Sequence, residues 1–236
     1  MRTKPFRGPV VRDTAVLVPA GGVGARLGRA MPKQFLALGG VPVLVATVRH
    51  FVRHPAVRAI VVAAPEAHVS RARRLLGPLG RRRPLAVVAG GPTRQASVGL
   101  ALQAVPAEVE LVMVHDAVRP FITRGLVDAV LAAARAHGAA ICALPIAETV
   151  KRVSGEFVVA TENRAGLWAV QTPQAYRAAL LREAHEKAHR DGFVGTDDAM
   201  LVERLGHQVC VVQGRETNVK ITTPADLRRA RAWVRR

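Results

Sequence analysis

A glycine-rich stretch follows the first apolar run of the chain and constrains its fold more than any other feature. Residues 16–36 have the sequence VLVPAGGVGARLGRAMPKQFL, in which the apolar run ends at Pro19. The glycines that follow are Gly21, Gly22, Gly24 and Gly28. Glycines let the backbone approach a ligand closely, and successive N–H groups then form a concave anion site. The stretch predicts a polyphosphate-binding loop, to which Arg26 and Lys33 add positive charge.

Two better-known phosphate loops do not match this stretch. A Walker A loop requires Gly-Lys followed by Ser or Thr, and Gly-Lys occurs nowhere in the chain. The dinucleotide-binding pattern G-x-G-x-x-G fails as well, because three residues separate Gly24 from Gly28. An ordinary connection between a strand and a helix has about 2–6 residues, whereas this one extends from Pro19 to Lys33. We therefore interpret it as a third kind of phosphate loop.

The length and composition predict a single domain that spans residues 1–236. Half of the 236 residues are hydrophobic, so the chain can bury one substantial core and does not belong to the disordered class. Cys142 and Cys210 lie in separate apolar runs, which is typical of core residues in a reduced, cytoplasmic protein. Residues 1–13 lack the apolar core of a signal peptide and are interpreted as a basic tail. No uninterrupted apolar run reaches about 18 residues, so we expect no membrane span.

The net charge of +18 raises the question of a nucleic-acid partner. All but five of the 35 basic residues are arginines, and the densest run, at residues 71–83, lies on a predicted helix and its following loop. Charge in such places is commonly solvated. The chain has only six Phe, two Trp and one Tyr, which offer few surfaces on which single-stranded nucleic acid could stack. We therefore expect salt-sensitive, non-specific attraction to polyanions but no specific nucleic-acid site.

Apolar, β-branched runs alternate with helical patterns along most of the chain. The predicted buried strands are 15–18, 57–64, 85–89, 110–115 and 139–144, and the predicted helices between them are 41–54, 65–76, 97–105 and 123–136. This alternation predicts an α/β fold with a mostly parallel, Rossmann-like sheet and helices on both faces. Further along, we predict helices at 173–189 and 196–205, strands at 207–212 and 217–222, and a final helix that begins with a near capping box at 223–226.

Three candidate binding features fall at one edge of this predicted sheet. They are the glycine-rich loop, a second loop at residues 90–97 with the sequence GGPTRQAS, and Asp116, which follows a predicted strand. All three lie at carboxyl ends of strands, and ligands of open parallel sheets bind beyond those ends. We therefore expect the three features to form one site.

The alternation breaks at residues 145–172, which we interpret as a β-hairpin arm. A turn at Ser154, Gly155 and Glu156 precedes a strand-like run at 157–161. The segment has little apolar content of its own, so we expect it to lean on a partner subunit and to form the arm of a homodimer. A long surface loop is the alternative interpretation.

The residue types available favour phosphoryl or nucleotidyl transfer. The chain has no Cys or His cluster at metal-ligand spacing, no G-x-S-x-G and no H-E-x-x-H. Phosphate loops, basic residues and one acid suit a reaction that depends on positioning and charge neutralisation. We expect Asp116 to bind Mg²⁺, which proteins hold through one or two carboxylates together with substrate phosphates. Each residue that could take part also has a purely structural explanation. Asp116 could be a turn residue, and Arg26 and Lys33 could be solvated loop charges. Among later candidates, Thr196 could be a helix N-cap and Lys220 a charge on an edge strand.

Six motifs, in order along the chain, resemble one known family. They are P-A-G-G-V-G-A-R-L-G with P-K-Q at 19–34, V-H-D-A-V-R-P at 114–120, E-T-V-K-R at 148–152, L-W-A-V-Q-T-P-Q at 167–174, T-D-D-A at 196–199 and N-V-K-I-T at 218–222. The set resembles the 2-C-methyl-D-erythritol 4-phosphate cytidylyltransferases of non-mevalonate isoprenoid biosynthesis. The resemblance implies that the predicted sheet is of the nucleotidyltransferase type. The resemblance implies that CTP and methylerythritol phosphate are joined, with Mg²⁺, to give 4-diphosphocytidyl-2-C-methyl-D-erythritol and pyrophosphate.

The resemblance also implies a role for individual residues. The catalytic residues that it implies are Arg26, Lys33, Arg164 and Lys220. The residues implied to bind the nucleotide are Ala20, Gly21, Gly22, Gly24, Gly91, Ser97 and Asp116, the last also near the metal. The residues implied to contact the polyol phosphate are Arg119, Thr149, Lys151, Arg164, Thr196 and Lys220. In such a homodimer, the arm would serve the active site of the neighbouring subunit.

One departure and several alternatives accompany this resemblance. Pro92 stands where relatives often carry an acidic residue, and proline has no N–H to donate, which removes one base contact. Cytidylyl transfer to ribitol 5-phosphate shares most of these motifs and is the first alternative. A nucleotidyltransferase that acts on a sugar 1-phosphate is a more distant one. A basic polyanion-binding protein on an inactive transferase fold is a third.

Overall fold

Eleven strands and seven α-helices lie within residues 11–21 and 31–234, the part of the chain that the computed structural model describes. The strands are β1 (Thr14–Pro19), β2 (Ala37–Leu38), β3 (Val41–Pro42), β4 (Val57–Ala64), β5 (Leu85–Ala89), β6 (Leu111–Val114), β7 (Ala139–Pro145), β8 (Val150–Ser154), β9 (Phe157–Glu162), β10 (Trp168–Arg177) and β11 (Cys210–Gln213). The helices are α1 (Val43–Val52), α2 (Val69–Gly80), α3 (Arg94–Gln103), α4 (Arg124–His137), α5 (Ala178–Arg190), α6 (Asp198–Glu203) and α7 (Pro224–Val234). Short 3₁₀ turns lie at Lys33–Phe35 and Glu66–His68.

Seven of these strands form the central sheet, in the order β11-β7-β10-β6-β1-β4-β5 within the described residues. Four neighbouring pairs are parallel, and β10 runs antiparallel to β6 and β7. The predicted mostly parallel α/β sheet is confirmed. Parallel strands require crossover helices, which cover both faces of the sheet. This cover explains why every side chain from Ala15 to Val18 on β1 is fully buried.

The core has one layer on each face of the sheet. On one face, α1, α2 and α4 contribute Phe51, Leu76 and Leu131 to a large apolar cluster. On the other face, α3, α5 and α6 pack a second cluster around Tyr176 and Leu181. Each helix therefore buries an apolar stripe against the sheet, as the helical spacing of these residues requires.

The helix predicted at 173–189 is wrong over its first five residues. The chain remains extended to Arg177, and α5 begins at Ala178. Gln174, Ala175 and Tyr176 pair with β6 on one side and with β7 on the other. The Thr172–Pro173 peptide bond, just before these residues, is cis. Pairing between two strands distant in sequence therefore outweighs the local helical pattern.

Other elements also differ from the prediction, in their bounds or in kind. The helix expected from Val41 begins at Val43, after a two-residue strand. The helix expected at 196–205 spans Asp198–Glu203, and Asp197, rather than Thr196, caps it by accepting a hydrogen bond from the Met200 N–H. The strand expected at 217–222 is absent from the described sheets, since side-chain contacts of Asn218 replace strand pairing there.

The segment predicted as an arm contains a hairpin. β8 pairs with β9 in an antiparallel sheet of their own, and Gly155 takes the positive φ that the tight turn requires. The side chains of this hairpin are mostly exposed, including the ring of Phe157. No helix among the described residues is long and apolar enough to span a membrane.

The final helix braces two segments that lead away from the site. Its predicted capping box is present: the Asp226 N–H donates to Thr223 Oγ1 at 3.2 Å, and Asp226 Oδ2 accepts from the Thr223 N–H at 2.8 Å. Leu227 packs in a small apolar cluster with Leu36 and Ile221. These two residues lie close in sequence to Lys33 and Lys220, so α7 fixes the backbone next to both lysines.

Candidate active site

The predicted edge of the sheet carries a pocket beyond the carboxyl ends of β1, β5 and β6. Among the described residues, it is lined by Pro19, Ala20, Gly21, Lys33, Gln34, Gly91, Pro92, Thr93, Arg94, Ser97, Asp116, Ala117, Val118 and Lys220. Seven of these were predicted as site residues: Ala20, Gly21, Lys33, Gly91, Ser97, Asp116 and Lys220. Gly22, Gly24 and Arg26 were predicted as well but lie outside the described residues.

Asp116 binds three basic side chains at the base of this pocket. Its Oδ2 lies 3.0 Å from Lys220 Nζ and 3.2 Å from Arg119 Nε, and its Oδ1 lies 3.6 Å from Arg94 Nε. Burial alone would raise the pKa of the Asp116 carboxyl, but Lys220, Arg94 and Arg119 together hold this pKa well below its usual range. The carboxylate is therefore ionised wherever the protein is folded near neutral pH.

Hydrogen bonds to the backbone fix the turn that presents Asp116. The Asp116 N–H donates to Thr172 Oγ1 at 3.0 Å, and the Arg119 N–H donates to the Asp116 carbonyl at 3.1 Å. Below the turn, His115 Nε2 lies 3.1 Å from the Arg119 carbonyl oxygen. Burial lowers the pKa of His115 to about 4, so this ring is neutral at pH 7. His115 thus supports the turn without adding charge.

Arg119 and Asn218 connect the turn to the segment that carries Lys220. Arg119 Nη1 donates to the Asn218 carbonyl at 2.7 Å, and Asn218 Nδ2 donates to the Thr172 carbonyl at 2.8 Å. Arg119 is buried behind Asp116 and does not line the pocket. Within one chain, Arg119 therefore acts on the placement of Asp116 and Lys220.

The second glycine loop is shaped around the Ser97 hydroxyl. Ser97 Oγ accepts from the Gly91 N–H at 3.1 Å and lies 2.9 Å from the Thr93 carbonyl oxygen. A Cβ at Gly91 would lie 2.5 Å from Ala96 Cβ, and one at Gly90 would lie 2.9 Å from Ser97 Oγ. Both positions therefore need glycine if the loop is to wrap the first turn of α3.

Gln34 ties the two ends of the first glycine-rich loop together. The Gln34 Nε2 group donates to the Ala20 carbonyl oxygen, and Gln34 itself is buried. The Ala20 N–H donates to the Ala63 carbonyl at 2.7 Å, which continues the pairing of β1 with β4. Buried Phe35 anchors the same 3₁₀ turn. Lys33, at the start of that turn, is thereby placed on the wall of the pocket.

Comparison with known proteins assigns this arrangement to a family. Residues 14–236 match the family model described as 2-C-methyl-D-erythritol 4-phosphate cytidylyltransferase. The chain belongs to this family. The Geobacter metallireducens enzyme of that name is 44% identical over 223 residues, which are 93% of this chain and 96% of the relative. The Symbiobacterium thermophilum enzyme is 48% identical over 217 residues, or 92% and 90% of the two chains.

Solved structures agree with the family and with the fold. The crystal structure of 2-C-methyl-D-erythritol 4-phosphate cytidylyltransferase from Thermus thermophilus has a TM-score of 0.79 and 40% identity, over 94% of this chain and 98% of that chain. The 4-diphosphocytidyl-2C-methyl-D-erythritol synthase from Anaerococcus prevotii has a TM-score of 0.83 and 30% identity, over 94% and 98% of the two chains. These comparisons do not favour the ribitol 5-phosphate or polyanion-binding alternatives.

Arg94 is a pocket residue to which the sequence analysis assigned no role. Its Nη1 lies 2.7 Å from Asp198 Oδ2, and its Nε faces Asp116. Burial opposes its charge, but Asp198 and Asp116 raise the pKa of the guanidinium above its usual value. Because α3 begins at Arg94, this arginine opposes the helix dipole and is stabilised by an acidic partner. The predicted helix began at residue 97, which left Arg94 in the loop before it.

The predicted contacts on the arm and on Thr196 do not line the pocket of their own chain. Lys151 Nζ donates to Thr161 Oγ1 at 2.6 Å, and Arg164 donates to the Ala147 carbonyl oxygen, both at exposed positions. Thr149 is also exposed. Exposed Thr196 has its Oγ1 3.8 Å from Met200 Sδ. Their roles as substrate contacts in this family member stay predictions.

We predict that Asp116→Asn lowers the free energy of unfolding by about 3 kcal/mol at pH 7, because it leaves three close cations without their shared anion. An unfolded aspartate has a pKa of about 3.9. The folded pKa is lower, so the stabilisation is fully present above pH 4 and is lost as the pH falls towards the folded value. The difference in the free energy of unfolding between the wild type and Asp116→Asn should therefore be smaller at pH 3 than at pH 7. Denaturant unfolding at both pH values measures it.

The matched control for this prediction is Asp191→Asn, which removes a surface carboxylate bound to Lys187 and Arg204. Exposed pairs of this kind contribute at most about 1 kcal/mol. Equal stability of the two variants would contradict a structural role for the Asp116 cluster.

Proposed function

We propose that this protein transfers the cytidylyl group of CTP to 2-C-methyl-D-erythritol 4-phosphate and releases pyrophosphate. The observation that carries the proposal is the Asp116 cluster at the base of a pocket lined by the second glycine loop and by the two ends of the first, in a chain that belongs to this family. The pocket presents Lys33, Arg94 and Lys220 to a ligand, which suits a polyphosphate.

The reaction needs little proton transfer. A phosphate oxygen of the polyol phosphate attacks the α-phosphorus of CTP, a P–O bond forms there, and the bond to the β-phosphate oxygen breaks. The attacking phosphate is already anionic near pH 7, so no general base is required. The work left to the protein is to align the reactants and to neutralise charge on the phosphate oxygens. Lys33 and Lys220 do this from the pocket walls, and the resemblance adds Arg26.

The donor set fits a magnesium ion that arrives with the triphosphate. Magnesium is usually bound by one or two carboxylates together with waters and substrate phosphates. Asp116 supplies one ionised carboxylate at the pocket, and no cluster of three or more His, Cys, Asp or Glu side chains suitable for a metal occurs in the described ranges. When bound, Mg²⁺ would neutralise charge on the phosphate oxygens. To bind the ion, Asp116 would give up part of its contact with Lys220, Arg94 and Arg119.

Backbone carbonyl groups select the base in this proposal. The N–H groups of Ala20 and Gly91 already donate within the protein, and Pro92 has none. A carbonyl oxygen has two lone pairs, so the carbonyls of Ala20 and Gly91, which already accept from Gln34 and Ser97, can also accept from the exocyclic amino group of cytosine. Uracil carries a carbonyl at that position and would be repelled. The loss of an acidic residue at position 92 is therefore compatible with a preference for CTP over UTP.

We predict that Lys33→Ala lowers kcat by about 10²–10³-fold, because the loss of one charge that stabilises the transition state costs about 2.7–4 kcal/mol. The resemblance gives Arg26→Ala the same expectation. Pyrophosphate release from CTP and methylerythritol phosphate in the presence of Mg²⁺ measures kcat. Lys187→Ala is the matched control, because Lys187 pairs with Asp191 on the surface of α5 and should leave kcat unchanged. Full kcat in the Lys33 variant would refute the mechanism.

A homodimer completes the proposed site. The hairpin exposes the apolar side chains of Val153, Phe157, Val158 and Val159, and Trp168 is half-exposed nearby in sequence. Exposed apolar side chains concentrated on one hairpin are typical of a protein interface. The arm residues Thr149, Lys151 and Arg164 do not line the pocket of their own chain, which supports their use in the site of a second copy.

We predict that mixed dimers recover activity lost by both parents. An Arg164→Ala subunit keeps its pocket, and a Lys33→Ala subunit keeps its arm, so one of the two sites in the mixed dimer is intact. Activity should reach up to about half that of the wild-type dimer. Two different affinity tags allow heterodimers to be purified before the assay. Heterodimers no more active than the mean of their parents would show that the arm does not act in trans.

A further inference from the structure

The first turn of α3 contacts both the pocket and the loop that joins α5 to α6. Arg94 lines the pocket, and its neighbour Gln95 points to the loop instead. Gln95 Nε2 donates to the Phe193 carbonyl at 2.9 Å, and Gln95 Oε1 accepts from the Gly195 N–H at 2.8 Å. One side-chain amide thus satisfies a carbonyl and an N–H two residues apart, immediately before Thr196.

Two acids, of which Asp198 is buried and Asp197 partly buried, hold the far end of the same loop. Asp198 is 1% exposed and lies 2.7 Å from Arg94 Nη1 and 3.0 Å from His185 Nε2. Asp197 Oδ2 accepts from Gln174 Nε2 of β10 at 2.7 Å. Thr196 therefore lies between two anchored points, of which Gln95 supplies the first and the Asp197–Asp198 pair the second.

The loop has little spare room once it is anchored. A Cβ at Gly195 would lie 3.0 Å from Leu201 Cδ2 and 3.1 Å from the Asp197 carbonyl oxygen. The backbone around Thr196 is thus pressed against the start of α6. A planar amide that both donates and accepts fixes the height of this backbone above α3, which a single contact would not do.

We propose that Gln95 is a positioning residue that sets Thr196 for the polyol phosphate through the Phe193–Gly195 backbone. This inference rests on the proposed function, which assigns Thr196 to that substrate. Gln95 does not line the nucleotide pocket, and the shape of the CTP loop depends on Ser97 and the glycines. The removal of Gln95 should therefore affect the two substrates unequally.

The test compares Gln95→Ala with Gln103→Ala, an exposed glutamine at the other end of α3. Gln95→Ala should raise KM for methylerythritol phosphate about tenfold, the scale of two lost hydrogen bonds. The KM for CTP should change by less than about twofold, since the pocket is untouched. Gln95→Glu keeps the acceptor for the Gly195 N–H and should fall between wild type and alanine. Gln103→Ala should match wild type.

Amide hydrogen exchange at Gly195 gives a readout that does not depend on turnover. Its N–H is bound by Gln95 in wild type, so Gln95→Ala should speed its exchange about tenfold while the Gln103 variant leaves it unchanged. A wild-type protein without turnover would refute the proposed function but not the anchoring by Gln95, which this exchange tests alone. Unchanged exchange, unchanged KM values, or an equal rise in both KM values would overturn the positioning role.

Discussion

The carboxylate of Asp116 holds together a site built from three distant parts of the chain. Arg94 begins α3, Arg119 follows β6, and Lys220 precedes α7, and all three contact its two oxygens. Arg94 also pairs with the buried carboxylate of Asp198, so three positive charges against two negative charges leave an excess of one at the base of the pocket. That excess is compatible with folding because the carboxylate is buried among the cations, and it is complemented when a polyphosphate binds.

Local patterns in the sequence were sufficient for the features that depend on local physics. The continuous apolar runs predicted β1 and β4 because a strand covered on both faces needs no polar positions. The Thr223–Asp226 spacing predicted a capping box that is present in the structure. Asp116 was placed at the site because a strand ends just before it, at the edge where ligands of parallel sheets bind.

Features that depend on long-range pairing were missed or misassigned. Residues 173–177 carry a helical pattern, yet they form part of β10 because β6 and β7 offer partners on both sides. The importance of Arg94 comes from Asp198, which lies 104 residues further along the chain. Neither partner can be identified from spacing alone. For the same reason, the contacts of Gln95 with the loop that carries Thr196 were not predicted from the sequence.

The central claim is that this pocket transfers a cytidylyl group to a methylerythritol phosphate. The most direct measurement is pyrophosphate release from CTP and Mg²⁺, with 2-C-methyl-D-erythritol 4-phosphate and ribitol 5-phosphate offered in parallel reactions. We expect turnover with the first polyol and none with the second. Turnover with ribitol 5-phosphate alone would support cytidylyl transfer but contradict methylerythritol phosphate as the substrate. No release of pyrophosphate with either polyol phosphate would contradict cytidylyl transfer itself.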